Sequence, residues 1–203
     1  MFKSNQVSCL ILAGGRGVRM ENADKGLQQL DGVAMVAHVI RSVAPQAATL
    51  MINANRNLEA YRQFGLPVWP DEMEGFAGPL AGIQTGLRHC RTSYMATVPC
   101  DTPFLPADLL ARLGDALVAQ NADIAVAATG TGSQRRIHAV CSLMKTVLLP
   151  HLNDYLLDGN RKVQSWLDLL KTVEVFFEDE SRFRNINTLE ELRQAETLPS
   201  TTK

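Results

Sequence analysis

The sequence predicts an α/β protein with a mostly parallel central sheet and helices on both faces. Short apolar runs of strand length alternate along the chain with segments whose apolar residues recur at helical spacing. Such alternation is typical of parallel sheets. Polar residues also follow the first four strand-like runs, at the point where each ends. Because ligands bind beyond the carboxyl ends of parallel strands, we expect a site at this edge.

The first half of the chain is predicted to alternate strands and helices. Pro45 ends the first helix, since proline cannot continue one, and Pro79 suits the first turn of a later helix, where its missing N–H is not needed. The predicted strands are Val7–Ala13, Thr49–Ile52, Leu66–Trp69 and Tyr94–Val98, and the predicted helices are Val36–Val43, Leu58–Phe64 and Pro79–Arg88.

The second half continues the same pattern. A polar loop, Thr129–Arg136, separates two strands, and Thr188 with Glu191 has the spacing of a capping box that opens a last helix. The predicted strands are Ile124–Ala128, Ile137–Leu143 and Val173–Phe177, and apolar stripes indicate helices over Leu109–Leu117 and Val163–Leu170.

Composition and charge exclude several classes of protein. The 203 residues favour a single domain, residues 1–203, with a sizeable core. A net charge of −1 gives no reason to expect nucleic acid, and no apolar run is long enough for a membrane span. The four cysteines form no C-x-x-C pair, so neither zinc nor a disulfide framework is expected and the protein is predicted to be cytoplasmic.

A glycine turn with nearby cations follows the first strand. Glycine lets the backbone approach a ligand closely, and successive N–H groups can bind an anion. Gly14 and Gly15 are followed by Arg16, Arg19 and Lys25, which bring three cations to the same loop. This combination predicts a site for a nucleoside triphosphate.

The loop differs from the two commonest nucleotide-binding motifs. A Walker A loop requires Ser or Thr after its lysine, where this sequence has Gly26. The G-x-G-x-x-G fingerprint fails because Met20 stands in place of its last glycine. A glycine turn that binds nothing therefore remains an alternative.

Several further motifs, taken in order, make the sequence resemble the molybdenum cofactor guanylyltransferases from about Val7 to Glu196. The sequence departs from the pattern of that family at Gly17, Glu21 and Ala139, none of which removes a cation or a carboxylate. The motifs are Leu12-Ala13-Gly14-Gly15 with Arg19-Met20 and Asp24-Lys25-Gly26, Asn53-Ala54-Asn55-Arg56, Gly78-Pro79-Leu80-Ala81-Gly82, Pro99-Cys100-Asp101-Thr102-Pro103 and Asn185-Ile186-Asn187-Thr188.

The resemblance implies a three-layer, Rossmann-like nucleotidyltransferase fold and transfer of GMP from GTP to the phosphate of molybdenum-bound molybdopterin. Lys25 and Arg19 would neutralise the triphosphate together with backbone N–H groups, and Asp101 would hold Mg²⁺. No strong general base is needed, because a phosphate monoester is mostly dianionic at neutral pH. The residues expected to contact the nucleotide are Leu12, Ala13, Gly14, Gly15, Lys25, Asn53, Asp71 and Asp101.

Other interpretations remain open. Asp101 could cap the helix beyond Pro103, and Asn53 and Asp71 could be turn residues. Cys100 has no identifiable histidine partner, so we do not expect it to be a nucleophile. The enzyme could use another nucleotide or acceptor, as in cytidylyl transfer to a phosphosugar or polyol. It could also be a nucleotide-binding cofactor chaperone without turnover, although binding alone needs no metal carboxylate.

The acceptor is expected to bind to the second half of the chain, since the predicted nucleotide residues extend no further than Asp101. A phosphate dianion needs local cations, and we expect Arg161 and Lys162 to supply them. The resemblance also implies proteins that insert molybdenum and molybdoenzyme chaperones as partners. The other cationic turns are Gln134-Arg135-Arg136 and Arg182-Phe183-Arg184-Asn185.

Overall fold

The computed structural model describes residues 2–15, 24–73 and 78–196, apart from the side chains of residues 189 and 196. Apolar runs in these residues form strands as the sequence predicts, with ends that agree with the predicted ends or differ by one or two residues. The strands are β1 (Val7–Leu12), β2 (Gln29–Leu30), β3 (Val33–Ala34), β4 (Thr49–Asn53), β5 (Val68–Trp69), β6 (Tyr94–Pro99), β7 (Ile124–Thr129), β8 (Arg136–Lys145) and β9 (Thr172–Phe176).

Seven of these strands form one sheet in the order β5-β4-β1-β6-β8-β7-β9. Strand β1 pairs in parallel with β4 and β6, and β4 pairs in parallel with β5. Strand β8 runs antiparallel to both β6 and β7, whereas β9 is parallel to β7. The sheet is therefore mostly parallel, as predicted, with one reversed strand in its interior.

Helices cover both faces of the sheet, which confirms the predicted three-layer α/β fold. One apolar core lies between α1, α4 and the face of β1 that carries Cys9 and Ile11. The other lies between α3, α5, α6 and the opposite face, which carries Leu10. The helices are α1 (Met35–Val43), α2 (Leu58–Arg62), α3 (Pro79–His89), α4 (Leu109–Ala119), α5 (Leu149–Leu157), α6 (Val163–Leu167) and α7 (Leu189–Glu196).

Two elements were not predicted from the sequence. Helix α5 contains Pro150, but this proline lies in the first turn, where a helix tolerates it. Strands β2 and β3 form a short hairpin whose turn residues, Asp31 and Gly32, both have positive φ. Asp-Gly is a strong hairpin signal, yet two-residue strands leave no periodicity to detect. None of the described helices has the length and apolar character needed to cross a membrane.

Helix α3 packs closely against the ends of β1 and β4 at Gly82. A Cβ at this position would overlap Asn53 Oδ1 and come to 2.7 Å from Leu12 Cδ2. The Asn53 side chain has little room to move, because its amide donates to the carbonyl of Trp69 at 3.1 Å and to Asp71 at 2.9 Å. The absence of a side chain at Gly82 therefore lets α3 lie against both strands.

We expect Gly82→Ala to destabilise the protein by about 1–3 kcal/mol, the usual cost of overpacking, although alanine favours helices by about 1 kcal/mol. Gly86→Ala on the same helix is the matched control. Its Cβ would meet Leu10 Cδ2 at 2.5 Å and Met95 Sδ at 3.0 Å, both at the ends of flexible side chains. Urea unfolding measures the free energy of unfolding of both variants. An equal loss of stability in the two would contradict the special role of Gly82.

Candidate active site

The polar residues that follow β5, β4, β1 and β6 lie side by side at one edge of the sheet, because these strands are parallel neighbours. The backbone ladder continues beyond the strand ends. Ala13 N donates to Asn53 O at 2.8 Å, and Cys100 N donates to Leu12 O at 3.0 Å. The structure thus brings the chain at Gly14, Asn53, Asp71 and Asp101 together, as the sequence predicts.

Lys25 and Asp101 form an ion pair at this edge. Lys25 lies in a short 3₁₀ turn, Lys25–Leu27, and its Nζ is 3.2 Å from Asp101 Oδ2. The same Nζ donates to Asn187 Oδ1 at 2.5 Å. These partners are 76 and 162 residues away in the chain, so the lysine joins the first strand loop to the C-terminal segment.

Asp101 is buried, and one of its oxygens is unused. Its Oδ1 has no hydrogen-bond partner among the described residues, although a buried polar atom without a partner costs about 1–3 kcal/mol. Burial raises the pKa of the Asp101 carboxyl, and the adjacent Lys25 opposes that shift. An oxygen of this kind fits a hard cation such as Mg²⁺, which is commonly held by one or two carboxylates with phosphates and waters.

Asp71 is held by two asparagines. Asn53 Nδ2 donates to Asp71 Oδ1 at 2.9 Å, and Asn55 Nδ2 donates to Asp71 Oδ2 at 2.8 Å. Asn55 Oδ1 also accepts from the backbone N of Asp71 at 2.8 Å. The carboxylate therefore has a fixed direction, with lone pairs left to accept hydrogen bonds from a ligand.

The glycine turn lies against the same asparagines. A Cβ at Gly14 would be 3.0 Å from both Asn53 Oδ1 and Asn55 Nδ2, so this position favours glycine for close approach. Gly15 O accepts from Arg56 Nη2 at 3.2 Å. Arg16 and Arg19, which were predicted to neutralise phosphate, lie outside the described residues.

Cys100 precedes Asp101 but is not suited to nucleophilic catalysis. Its thiol is buried, and burial together with the Asp101 charge raises its pKa well above the ordinary value. The thiolate, which is the reactive form, is therefore scarce at neutral pH. The sequence-based expectation that Cys100 is not a nucleophile agrees with this environment.

The C-terminal segment is fastened to the loop after β6. Ile186 N donates to Asp101 O at 2.9 Å, and Thr102 Oγ1 donates to Asn185 Oδ1 at 2.8 Å. These bonds place Asn187 beside Lys25. The segment that precedes α7 therefore contributes directly to the site. The sequence analysis noted this segment as a motif and as a cationic turn, but it gave Asn187 no role beside Lys25.

The predicted capping box forms at the start of α7. Glu191 N donates to Thr188 Oγ1 at 3.1 Å, and Glu191 Oε2 accepts from Thr188 N at 3.2 Å. The same oxygen accepts from the backbone N of Asn187 at 2.6 Å. The cap thus fixes the backbone of the residue that contacts Lys25.

A cavity of about 700 Å³ opens beside the Lys25–Asp101 pair. Asn187 borders both, and Arg136 and Arg184 bring positive charge to the cavity. Arg136 also pairs at 3.2 Å with Glu180, which lines the same cavity. The remaining lining residues are Pro99, Ile137, His138, Ala139, Val140, Cys141, Ser181, Phe183, Asn185 and Glu191.

His138 forms part of the cavity wall, where its surroundings favour the neutral imidazole. Burial, followed by the charge of Arg136, lowers its pKa below the ordinary histidine value. Its Nε2 is 2.9 Å from Thr129 Oγ1, and its ring stacks on Phe183 with 4.6 Å between centroids. The wall therefore offers a fixed polar ring rather than a cation.

Arg161 and Lys162 do not reach this cavity. Arg161 Nη1 donates to Leu156 O in the last turn of α5 and to Asn160 O in the loop after it, both at 2.7 Å. The structure instead places two other arginines, Arg136 and Arg184, beside the candidate active site.

Two residues of the site were missed by the sequence analysis. Asn55 lies two positions after Asn53 in a motif that was noted, and Asn187 lies in the noted segment before α7. The two motifs could therefore have indicated both asparagines as candidate site residues. The residues that they contact could not be predicted, because both contacts depend on how distant strands and loops meet.

The chain is similar to known proteins over most of its length. A family model described as the MobA-like NTP transferase domain matches residues 9–175. A molybdenum cofactor guanylyltransferase from Bordetella petrii is 50% identical over 194 residues, covering 96% of this chain and 99% of that protein. One from Cupriavidus pinatubonensis is 48% identical over 197 residues, covering 97% and 99%.

Solved structures share the fold. Molybdopterin-guanine dinucleotide biosynthesis protein A from Archaeoglobus fulgidus matches with a TM-score of 0.73 at 21% identity, covering 93% of this chain and 96% of that one. A 4-diphosphocytidyl-2C-methyl-D-erythritol synthase from Anaerococcus prevotii matches with a TM-score of 0.74 at 13% identity, covering 96% and 98%. At these identities the likeness concerns the fold alone.

Proposed function

Because the chain belongs to the MobA-like NTP transferase family, as one of its molybdenum cofactor guanylyltransferases, we propose that it transfers GMP from GTP to the phosphate of molybdenum-bound molybdopterin. The protein is a nucleotidyltransferase, and the proposal concerns its substrates and its metal. The observation that carries it is the Lys25–Asp101 pair, which lies between the ordered polar groups after β1, β4 and β5 and the cavity beside β8. The lining of that cavity includes two arginines and two glutamates.

The nucleoside of GTP is proposed to bind beside Asn53 and Asp71. Guanine presents an N1–H and an amino group, which are donors that a fixed carboxylate or a backbone carbonyl can accept. The hydrogen bonds from Asn53 and Asn55 hold the Asp71 carboxylate in place before a ligand arrives. The Leu12–Gly15 backbone would line the base and sugar, and the N–H groups of Gly14 and Gly15 would face the phosphates.

Asp101 is proposed to hold Mg²⁺ through its unpaired Oδ1. When bound, the ion neutralises charge on the triphosphate and on the departing pyrophosphate. Lys25 contributes a second positive charge on the same side, and its contacts with Asp101 and Asn187 keep the ammonium group at the sheet edge. Together these groups stabilise the charge that develops as pyrophosphate leaves.

The acceptor is proposed to occupy the cavity beside β8, with its phosphate directed toward Lys25. A phosphate oxygen of the acceptor attacks the α-phosphorus of GTP, and the bond from that phosphorus to the bridging oxygen breaks to release pyrophosphate. The monoester has a second pKa near 6, so no side chain has to remove a proton. Arg136 and Arg184 offer the positive charge that a dianion requires.

The reaction is tested by measuring pyrophosphate release with each of the four common nucleoside triphosphates, with and without molybdopterin. We expect release with GTP only when the acceptor and Mg²⁺ are both present, and loss of release after chelation. Turnover with CTP and a phosphosugar or polyol would favour the cytidylyl alternative. Nucleotide binding without turnover under any condition would favour a cofactor chaperone.

Asp101→Asn should reduce turnover by at least about 100-fold, because an amide replaces the carboxylate proposed to hold the metal. The fold should be retained, since the amide oxygen can still accept from Lys25. Asp123→Asn is the matched control, because Asp123 pairs with Lys145 at 3.3 Å in a second Lys–Asp pair. Near-normal turnover of Asp101→Asn would remove Asp101 from the mechanism.

Lys25→Ala should lower turnover by about 100-fold, the scale for a group that stabilises developing charge, while the affinity for GTP falls less. Steady-state kinetics and calorimetry with GTP separate the two effects. Lys145→Ala removes the lysine of the other Lys–Asp pair and should change neither quantity. A loss of affinity alone would make Lys25 a ground-state binder.

Replacing Arg136 and Arg184 together with alanine should weaken molybdopterin binding by about tenfold or more and leave GTP binding unchanged, since charge-assisted hydrogen bonds to phosphate are lost. Arg161→Ala/Lys162→Ala makes the same change in charge away from the cavity and serves as the control. Calorimetry with each ligand measures both. If the Arg161→Ala/Lys162→Ala variant bound molybdopterin more weakly and the Arg136→Ala/Arg184→Ala variant bound it normally, the acceptor would lie at the loop between α5 and α6.

A further inference from the structure

Asp24 is held by two side chains from the region of α2. Tyr61 Oη donates to Asp24 Oδ1 at 2.5 Å, and Asn57 Nδ2 donates to Asp24 Oδ2 at 3.1 Å. Tyr61 is fully buried, and burial raises the pKa of its phenol, so the hydroxyl remains a proton donor. Both oxygens of Asp24 are therefore engaged by protein donors.

Gly26, on the other side of Lys25, packs against the same hydroxyl. A Cβ at Gly26 would be 2.5 Å from Tyr61 Oη and 3.2 Å from Cys100 Sγ. The backbone at Gly26 is thus confined between Tyr61 and the residue that precedes Asp101. This is a second, independent contact of Tyr61 with the turn that carries Lys25.

We propose that Tyr61 is a positioning residue for the transfer reaction. Its buried hydroxyl fixes Asp24 and confines Gly26, and these two neighbours set the place of Lys25 relative to Asp101. Tyr61 acts through Lys25 and does not touch the substrates. The contacts of Lys25 with Asp101 and Asn187 then determine only the direction of a side chain whose backbone is already fixed.

The arrangement also explains why the Asp24 carboxylate does not compete for Lys25. The carboxylate lies next to the lysine in the sequence, but its two oxygens accept from Tyr61 and Asn57. Asn57 adopts a left-handed conformation, with φ of 50°, immediately before α2. Asparagine tolerates that conformation better than most residues, which allows its amide to lie beside Asp24.

The test is a double-mutant cycle with Tyr61→Phe, Lys25→Ala and the combined variant. Tyr61→Phe removes one hydroxyl and keeps the ring. We expect kcat to fall about tenfold, the factor that corresponds to about 1.4 kcal/mol, with a smaller change in KM for GTP. In the Lys25→Ala background, Tyr61→Phe should change kcat by less than about twofold, since the group it positions is gone.

Tyr155→Phe is the matched control. Tyr155 is also buried, and its hydroxyl donates to Lys162 O at 3.1 Å on the other face of the sheet. Urea unfolding should show that the two Tyr→Phe variants lose similar stability, and only Tyr61→Phe should lose kcat. An equal fall in kcat for both variants, or a further tenfold fall from Tyr61→Phe in the Lys25→Ala background, would overturn the proposal.

The positioning role of Tyr61 rests on the proposed function only in that Lys25 contacts the triphosphate. Calorimetric titration of the same variants with GTP and Mg²⁺ tests the role of Tyr61 separately from the transfer reaction. A wild-type protein that binds GTP but transfers no GMP contradicts the proposed function, and the cycle in GTP affinity then decides the role of Tyr61. Non-additive losses of affinity support that role, whereas additive losses refute it.

Discussion

The ion pair between Lys25 and Asp101 is the interaction on which the rest of the site depends. A buried carboxylate is costly unless it is paired and hydrogen-bonded, and Lys25 pairs with only one oxygen of Asp101. Three separate parts of the chain meet to hold the pair: the turn at Lys25, the loop after β6 and the segment before α7, which contributes Asn187. The arrangement keeps two opposite charges together at the sheet edge and leaves Asp101 Oδ1 without a hydrogen-bond partner among the described residues.

The two sides of this pair differ because one strand is reversed. On the side of β1, β4 and β5, carboxyl ends of parallel strands present Asn53 and Asp71 with their polar groups already paired. On the other side, β8 is antiparallel to β6, so its first residues lie at the same edge. Arg136 and His138 therefore face a cavity beside the catalytic carboxylate proposed here. The direction of β8 therefore brings the proposed acceptor side next to the proposed nucleotide side.

Much of the fold could be predicted from the sequence because local patterns of residues indicate where strands and helices form. Apolar runs identified the seven strands of the main sheet, and the capping box at Thr188 and Glu191 identified the start of α7. Helix α5 was not predicted, although its Pro150 lies in the first turn, where proline does not interrupt a helix. The direction of β8 was not predicted either, although the short loop between the two predicted strands favours antiparallel pairing of β8 with β7. What the sequence left open was the position of β8 beside β6.

For the site, the sequence by itself determined which residues stand at the ends of strands: Gly14, Asn53, Asp71 and Asp101 each follow an apolar run, and parallel pairing brings such ends together. Only the tertiary structure decided their partners. Asn187 reaches Lys25 across 162 residues, and Tyr61 holds Asp24 across 37. The reason is physical: periodicity and turn chemistry act over a few residues, whereas these contacts depend on the order of strands in the sheet and on the packing of side chains between distant loops.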